Sequence, residues 1–295
     1  MAKFVAADVI LNATTVRQCT NVSHRTGQEH RKAMTSGGAV ISQISGKKAE
    51  EVTSVTSYDI GVLAALGTNT FCSAGTYLTG STITVPWKSR AAGGTFASGS
   101  AHCALAGSTA LVIPTSFEAS QDGDGASCNF EIHWVSSDGI TVGATGSTGN
   151  ALGSQAFSAE FALGPAYING TEIVGVQSIK VTPGITLVKV SDKGLVWPTH
   201  ISIQSVMPTI EIVTNDIDAV ASTINVFTAM TSANVYFRKR LDSAIYSSSS
   251  DNVRFTFAAG LSDTNSVEVS DTGNGSSTIT LHGKTLTSSS AVAIP

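Results

Sequence analysis

Charge is what this sequence has least of. Only 13% of its 295 residues are Asp, Glu, Lys or Arg, about half the usual share of roughly 25%. The formal net charge is -4, which argues against a dedicated nucleic-acid binder, since such proteins are usually basic. It leaves room for a mildly acidic surface that DNA passes without sticking. Tryptophan is scarce, with Trp87, Trp134 and Trp197 alone, so platforms for stacked sugars are few. Cysteine is limited to Cys19, Cys72, Cys103 and Cys128. Their wide spacings match no CxxC pair, and they read as free core thiols, with one disulfide of undetermined pairing left open. No apolar run approaches the roughly 18 residues of a membrane span. The start, MAKFVAADVILNATTV, lacks the apolar core of a cleaved signal. The expectation is a chain made in a cytoplasm, without a membrane span.

Catalytic signatures are missing as well. There is no GxSxG elbow, no phosphate-binding GxxxxGK[ST] loop and no HExxH. Asp122-Gly-Asp124-Gly resembles the start of a calcium loop. Ala126 and His133 then stand where such a loop needs an oxygen ligand and a Glu, so it reads as a glycine-rich turn. His102, Cys103, Cys128 and His133 are spaced too loosely for structural zinc, and strand parity puts His133 opposite Cys128. Asp138, Glu160, Glu172 and Glu211 are scattered, with nothing to mark a glycosidase pair. The sequence therefore predicts no enzyme, no cofactor and no metal site.

What fills the space is Ser, Thr, Gly and Ala around 42% hydrophobic residues. Period-two alternation marks half-buried strands. It is clearest at residues 128–135, where Cys128, Phe130, Ile132 and Trp134 share one face. Between residues 164 and 218 four strands follow in succession, centred on Ile179/Val181, Ile185/Leu187, Ile201/Ile203 and Ile210/Ile212. Further strands are expected at 4–11, 39–44, 81–87, 110–113 (ended by Pro114), 234–240 and 253–257, with weaker ones at 267–269 and 279–281. One helix is predicted over 56–67, opened by Thr56 with Asp59 and closed by Gly67, burying Ile60, Leu63 and Ala64. Residues 20–38 are polar and read as a long loop or arm. Residues 91–101 and 143–155 read as mobile loops. The fold class is mainly β, an antiparallel sandwich or barrel with one short helix and long loops. The division is 1–218 as the principal β domain, with 219–295 a C-terminal β region integrated into it or forming a small accessory unit.

Two basic groups stand out: His24, Arg25, Arg31 and Lys32 in the arm, and Arg238-Lys239-Arg240. They read either as solvated faces or as salt-bridge partners for a neighbouring subunit, where sparse charges would set register. The order of elements is also informative. A short first strand precedes the arm, which carries His24-Arg-Thr-Gly27-Gln28. A strand and an Ala/Leu-rich helix (residues 58–66) follow. The long β region then ends in P-T-x-I-S-I-Q-x-x-x-P-x-I-E-I (residues 198–212). This layout resembles the major tail proteins, or tail tube proteins, of long-tailed bacteriophages. The resemblance implies a sandwich or barrel assembled into stacked hexameric rings, with inner sheets lining a channel for DNA. It implies a place in the virion tail, assembly in the bacterial host cytoplasm, and partners that include the tape measure and other tail proteins. A carbohydrate-binding or adhesive β-module, or another virion role such as decoration or tail terminator protein, shares the composition.

The missing ligands lead to a prediction. Chelator treatment should leave the melting temperature unchanged. A drop of several degrees, restored by calcium or zinc, would locate a metal site at the Asp122 turn or the Cys/His set.

Overall fold

The computed structural model describes residues 3–34, 41–90, 102–150, 152, 159–217, 229–241, 246, 250–268 and 275–295. Strands account for 69% and helix for 6%, against roughly 20–25% strand in an ordinary domain, so the class is mainly β. In chain order the first elements are β1 (Lys3–Ala6), β2 (Val9–Leu11), β3 (Thr14–Val16), β4 (Cys19–Met34) and β5 (Ile41–Ser57). Two helices follow, α1 (Ile60–Asn69) and α2 (Phe71–Ala74). Next come β6 (Thr76–Leu78), β7 (Ile83–Arg90), β8 (His102–Gly107), β9 (Ala110–Ser120), β10 (Ser127–Trp134) and β11 (Ala144–Asn150). The remainder is β12 (Glu160–Ile168), β13 (Thr171–Ile173), β14 (Val176–Thr182), β15 (Ile185–Val190), β16 (His200–Val206), β17 (Thr209–Thr214), β18 (Ala229–Arg240), β19 (Asn252–Glu268) and β20 (Ser276–Val292).

These strands form two main antiparallel sheets. The smaller runs β11-β8-β7-β2-β3, with β1 beside β7. The larger runs β13-β12-β18-β19-β20-β17-β14-β9-β10-β5-β4, with β6 beside β9. The C-terminal strands β18 to β20 thus lie inside the large sheet, between β12 and β17. Its strands curl until β12 packs against β9 and β14, where Ala126 N donates to Phe161 O at 2.7 Å. The sheets remain open, so the barrel alternative is replaced by a sandwich-like arrangement. Twist accumulating over so many strands produces such a curl.

One continuous apolar core fills the interior. Val9, Leu11, Ile83, Val85 and Leu105 of the small sheet meet Val55, Phe130, Ile132 and Trp134 of the large one. Phe255 lies 4.5 Å from Phe117 and 5.5 Å from Phe237, centroid to centroid. The sheets approach closely at Gly107, where a Cβ would lie 2.5 Å from the Trp134 ring. A second apolar cluster lies on β9's other side, where Ile185, Leu187, Ile201 and Ile203 of the β15–β16 hairpin cover Leu111 and Ile113.

Several elements differ from expectation. Thr56 and Ser57 end β5, and the helix starts at Ile60. The Asp59 carboxylate accepts from Arg17 N at 3.0 Å and makes no cap bond to its own helix. Leu66, Gly67 and Thr68 break the helix, and α2 adds a second short one. Ile60, Leu63 and Ala64 are buried as the pattern predicts. Ser288 Oγ donates to Ala64 O at 2.7 Å, fastening α1 to β20. Pro114 does not end its strand. β9 continues to Ser120, and a bulge at Thr115 shifts its register on β10. On β9's other edge, β6 pairs as far as Val112 and β14 begins opposite Phe117, so no ladder partner asks Pro114 for an N–H. Residues 144–150, expected as loop, form β11. Residues 91–101 lie outside the described residues.

Phe255 sits where the two halves of the large sheet meet. Phe255→Ala should leave a folded chain destabilised by about 3–5 kcal/mol, the usual range for a fully buried phenylalanine. Urea unfolding followed by circular dichroism checks it; a loss below about 1 kcal/mol would mean that this contact is peripheral.

Candidate functional site: the projecting hairpin

β4 and β5 pair antiparallel from Cys19 opposite Ser57 to Met34 opposite Ile41. The stretch expected as a loop is therefore a regular strand as far as Met34, and residues 35–38 fall outside the described ones. At its root the hairpin belongs to the body, because β5 also pairs with β10. Ala49, Val52 and Val55 are buried there. Beyond the root, which reaches Gln28 opposite Ala49, residues 29–32 and 43–48 are all exposed. From Glu29 opposite Lys48 to Met34 opposite Ile41, this ribbon reaches about 20 Å at roughly 3.3 Å per residue. An isolated two-stranded ribbon is marginal in water. Nothing in the sequence period of GQEHRKAM supplies an apolar face to stabilise it.

Charge is unevenly shared. Residues 26–48 hold Arg31, Lys32, Lys47 and Lys48 against Glu29, a net of +3, so the rest of a chain of net -4 carries -7. Lys47 reaches Glu29 at 3.7 Å. Arg31 and Lys32 face Ser45 and Ile44 across the ladder and have no ion pair among the described residues.

The root is held by a buried polar network that the sequence did not announce. Glu51 is 3% exposed. Its Oε2 accepts from Gly143 N at 2.9 Å and Ala144 N at 3.0 Å, tying the arm to β11. Its Oε1 lies 3.5 Å from His24 Nε2. Trp134 Nε1 donates to Thr53 Oγ1 at 2.9 Å. His24 Nδ1 lies 3.0 Å from that same hydroxyl. The indole can only donate, so the Thr53 hydroxyl accepts there, and its own hydrogen is free to turn to another acceptor. Burial raises the Glu51 carboxyl despite the two backbone donors. Burial also lowers His24. Glu50 bridges Lys189 at 2.8 Å and Arg25 at 3.3 Å, and the Lys189 hydrogen bond holds it below the carboxylate range. His133 does the same for Glu131 at 2.9 Å, although the ring N–H is out of line for a hydrogen bond.

Of the candidate contacts, His24 and Arg25 thus have acids within the chain, at the arm's root. The second basic run lies on β18: Lys239 meets Asp251 at 3.4 Å, Arg240 meets Glu160 at 4.0 Å, and Arg238 stacks 5.7 Å from the Tyr246 ring centre. Only Arg31 and Lys32 stand on the free part of the arm. Sequence reasoning missed Lys47 and Lys48 because their strand was expected to end at Ile44.

No reaction centre emerges among the described residues. No three His, Cys, Asp or Glu side chains converge to hold a metal. Asp124 lines a shallow groove of about 330 Å3 with Glu118, Lys180 and Glu211. His102 Nδ1 accepts from Ser89 N at 3.1 Å. All four cysteines are free. Burial pushes the Cys19 thiol up to about 12 and raises Cys72 and Cys128 too; such thiols are inert at neutral pH. None of the three tryptophans is exposed. Comparison with protein-family models gives no match, and no curated protein is significantly similar to the chain.

The root network predicts a pH response. His24 is depressed below its usual 6.5, so its contribution is present above that value and lost as pH falls through the folded pKa. Glu50 and Glu131 are depressed below 4.5, so theirs is lost on further acidification. Glu51 is raised and has the opposite sign: its contribution is full below 4.5 and lost as pH rises through its folded value. Melting temperature should therefore decline first just below pH 6.5, and His24→Asn should flatten that part of the curve. An unchanged curve in the variant would remove His24 from the network.

Proposed function

We propose that the chain is a structural subunit that self-assembles into stacked, hexameric rings, in the manner of the tail tube proteins of long-tailed bacteriophages. The observation that carries this reading is the projecting hairpin. A short ribbon, whose pairs Glu29–Lys48, His30–Gly46, Arg31–Ser45 and Lys32–Ile44 are exposed on both strands, needs a partner to be stable, and its net charge is opposite to that of the body it leaves. A second copy of the same chain offers the complementary surface.

The sheets support the same reading. The large sheet ends in β4 and β13, the small one in β3 and β11. Open edges present unpaired backbone groups that β-proteins cover or pair, and closure around a ring removes them. Across β9, β14 and β17, Glu118, Lys180 and Glu211 stand in register on the polar face. A polar, mildly acidic wall lets DNA slide, because few cations are there to exchange for its counterions. In this reading the chain works without catalysis or cofactor, in the virion tail after assembly in the host cytoplasm. Its partners are itself, the tape measure and other tail proteins, and DNA in transit. The sugar-binding alternative needs an exposed aromatic platform; Trp134 is buried and Trp87 and Trp197 are half-buried, so the exposed rings of Tyr77 and Tyr246 would have to supply it.

Electron microscopy and light scattering of the purified protein test the assembly. Rings or tubes, and species far above the 30.2 kDa of one chain, are expected. A strictly monomeric protein at all salt concentrations would end the proposal. Reversing the free charges with Arg31→Glu and Lys32→Glu should slow or block stacking. It should move stability by only about 0.5 kcal/mol, as exposed substitutions do. If the double variant is folded and stacks like the parent, the arm is no contact.

A further inference from the structure

The outward face of β12, β18 and β19 carries a second cationic feature, unrelated to the arm. Val235, Phe237, Val253 and Phe255 point into the core. Alternation therefore puts Tyr236, Arg238 and Arg254 together on the other face. Arg254 is directly opposite Tyr236 in the ladder, and Arg238 follows Tyr236 by two residues on β18, which leaves the two arginines diagonal neighbours, roughly 7–8 Å apart. The residues beside them are small: Ala162 faces Arg238 on β12, and Ser289 faces Arg254 on β20. Aromatic rings surround the pair. Tyr236 meets Tyr167 edge-on at 5.8 Å, and the Tyr246 ring lies under the Arg238 guanidinium.

Two facts require a further group here. The Nε atoms of Arg238 and Arg254 are both buried, and both lack a hydrogen-bond partner. The acid on β12, Glu160, is taken by Arg240, and no carboxylate pairs with Arg238 or Arg254 among the described residues. Like charges side by side are destabilising, and a buried donor without an acceptor is costly. An oxyanion between the two forks removes both penalties at once, because guanidinium edges match carboxylate and phosphate oxygens two at a time. The flanking rings hold the planes in place.

We propose that Arg238 and Arg254, framed by Tyr167, Tyr236 and Tyr246, form a receptor for one oxyanion, a carboxylate or phosphate group. Its source is either the free ion or an acidic side chain of a second copy. The site stands independently of whether the arm mediates stacking.

Equilibrium dialysis of the full chain with inorganic phosphate, at constant ionic strength held with chloride, tests it. Saturable binding of one phosphate per chain is expected, with acetate competing. Arg238→Gln and Arg254→Gln should each weaken it by about tenfold or more, the effect of losing a charge-assisted hydrogen bond. Arg254→Lys, which keeps the charge and loses the fork, provides a second variant should the glutamine change impair folding by circular dichroism. Binding in both dispersed and assembled protein assigns the free ion. Binding in dispersed protein alone, with assembly weakened by the same substitutions, assigns a neighbour's carboxylate. No saturable binding in either state, or equal binding in folded variants, overturns the proposal.

Discussion

The structure depends on the packing of Phe255 between Phe117 and Phe237. Phe117 belongs to β9, Phe237 and Phe255 to β18 and β19; along the sheet three strands separate β19 from β9, and four separate β18 from it. Only a strongly curled sheet brings them within 4.5 Å. That curl creates the interior into which α1 inserts Ile60 and Leu63. It also turns β12 back toward β9. Polar ladders alone set no such shape, since hydrogen bonds between strands exchange against water for little net gain. Burial of large apolar surfaces does, at about 25 cal/mol per Å2. The aromatic residues are few, and eight of them, seven phenylalanines and Trp134, are buried in this interior.

A core fixed in this way explains the contrast between the two ends of β4 and β5. Their root shares the curled sheet, and there even polar groups are locked: Glu51 holds the β11 backbone, and Thr53 links Trp134 to His24. Their outer part has left the sheet behind. No described residue covers it, and its side chains are mostly polar or charged on both faces, with Ile44 the exposed exception.

Much of this was legible in residues that alternate strictly. Cys128, Phe130, Ile132 and Trp134 are buried, and Ile179, Val181, Ile210 and Ile212 lie in the main core. Ile185, Leu187, Ile201 and Ile203 alternate as well, yet they build a separate outer layer, which periodicity cannot distinguish from a core strand. The arm was misread as loop because neither face of it is apolar, and the signal for a strand is a difference between faces. Pro114 misled for a related reason: a proline ends a strand only where a partner needs its N–H, and the gap between β6 and β14 is a property of the sheet. The Thr56–Asp59 cap failed because the Asp59 carboxylate is engaged by Arg17, 42 residues away.

Candidate sites follow the same logic at the level of charge. Sequence marked Arg238, Lys239 and Arg240 as one basic run, since neighbours in sequence are what a run shows. A strand separates such neighbours onto opposite faces. Lys239 turns toward Asp251, while Arg238 joins Arg254, a residue 16 positions further on that no sequence pattern connects to it. Both residues are half-buried, and their Nε atoms are out of solvent's reach without a partner. An anion between them would supply the missing acceptor. The arm presents the converse case, cations fully in water whose individual contributions are small and whose value lies in orienting an encounter. Exposure, more than sign, separates the two groups: Arg238 and Arg254 bury their Nε atoms, whereas Arg31 and Lys32 are exposed.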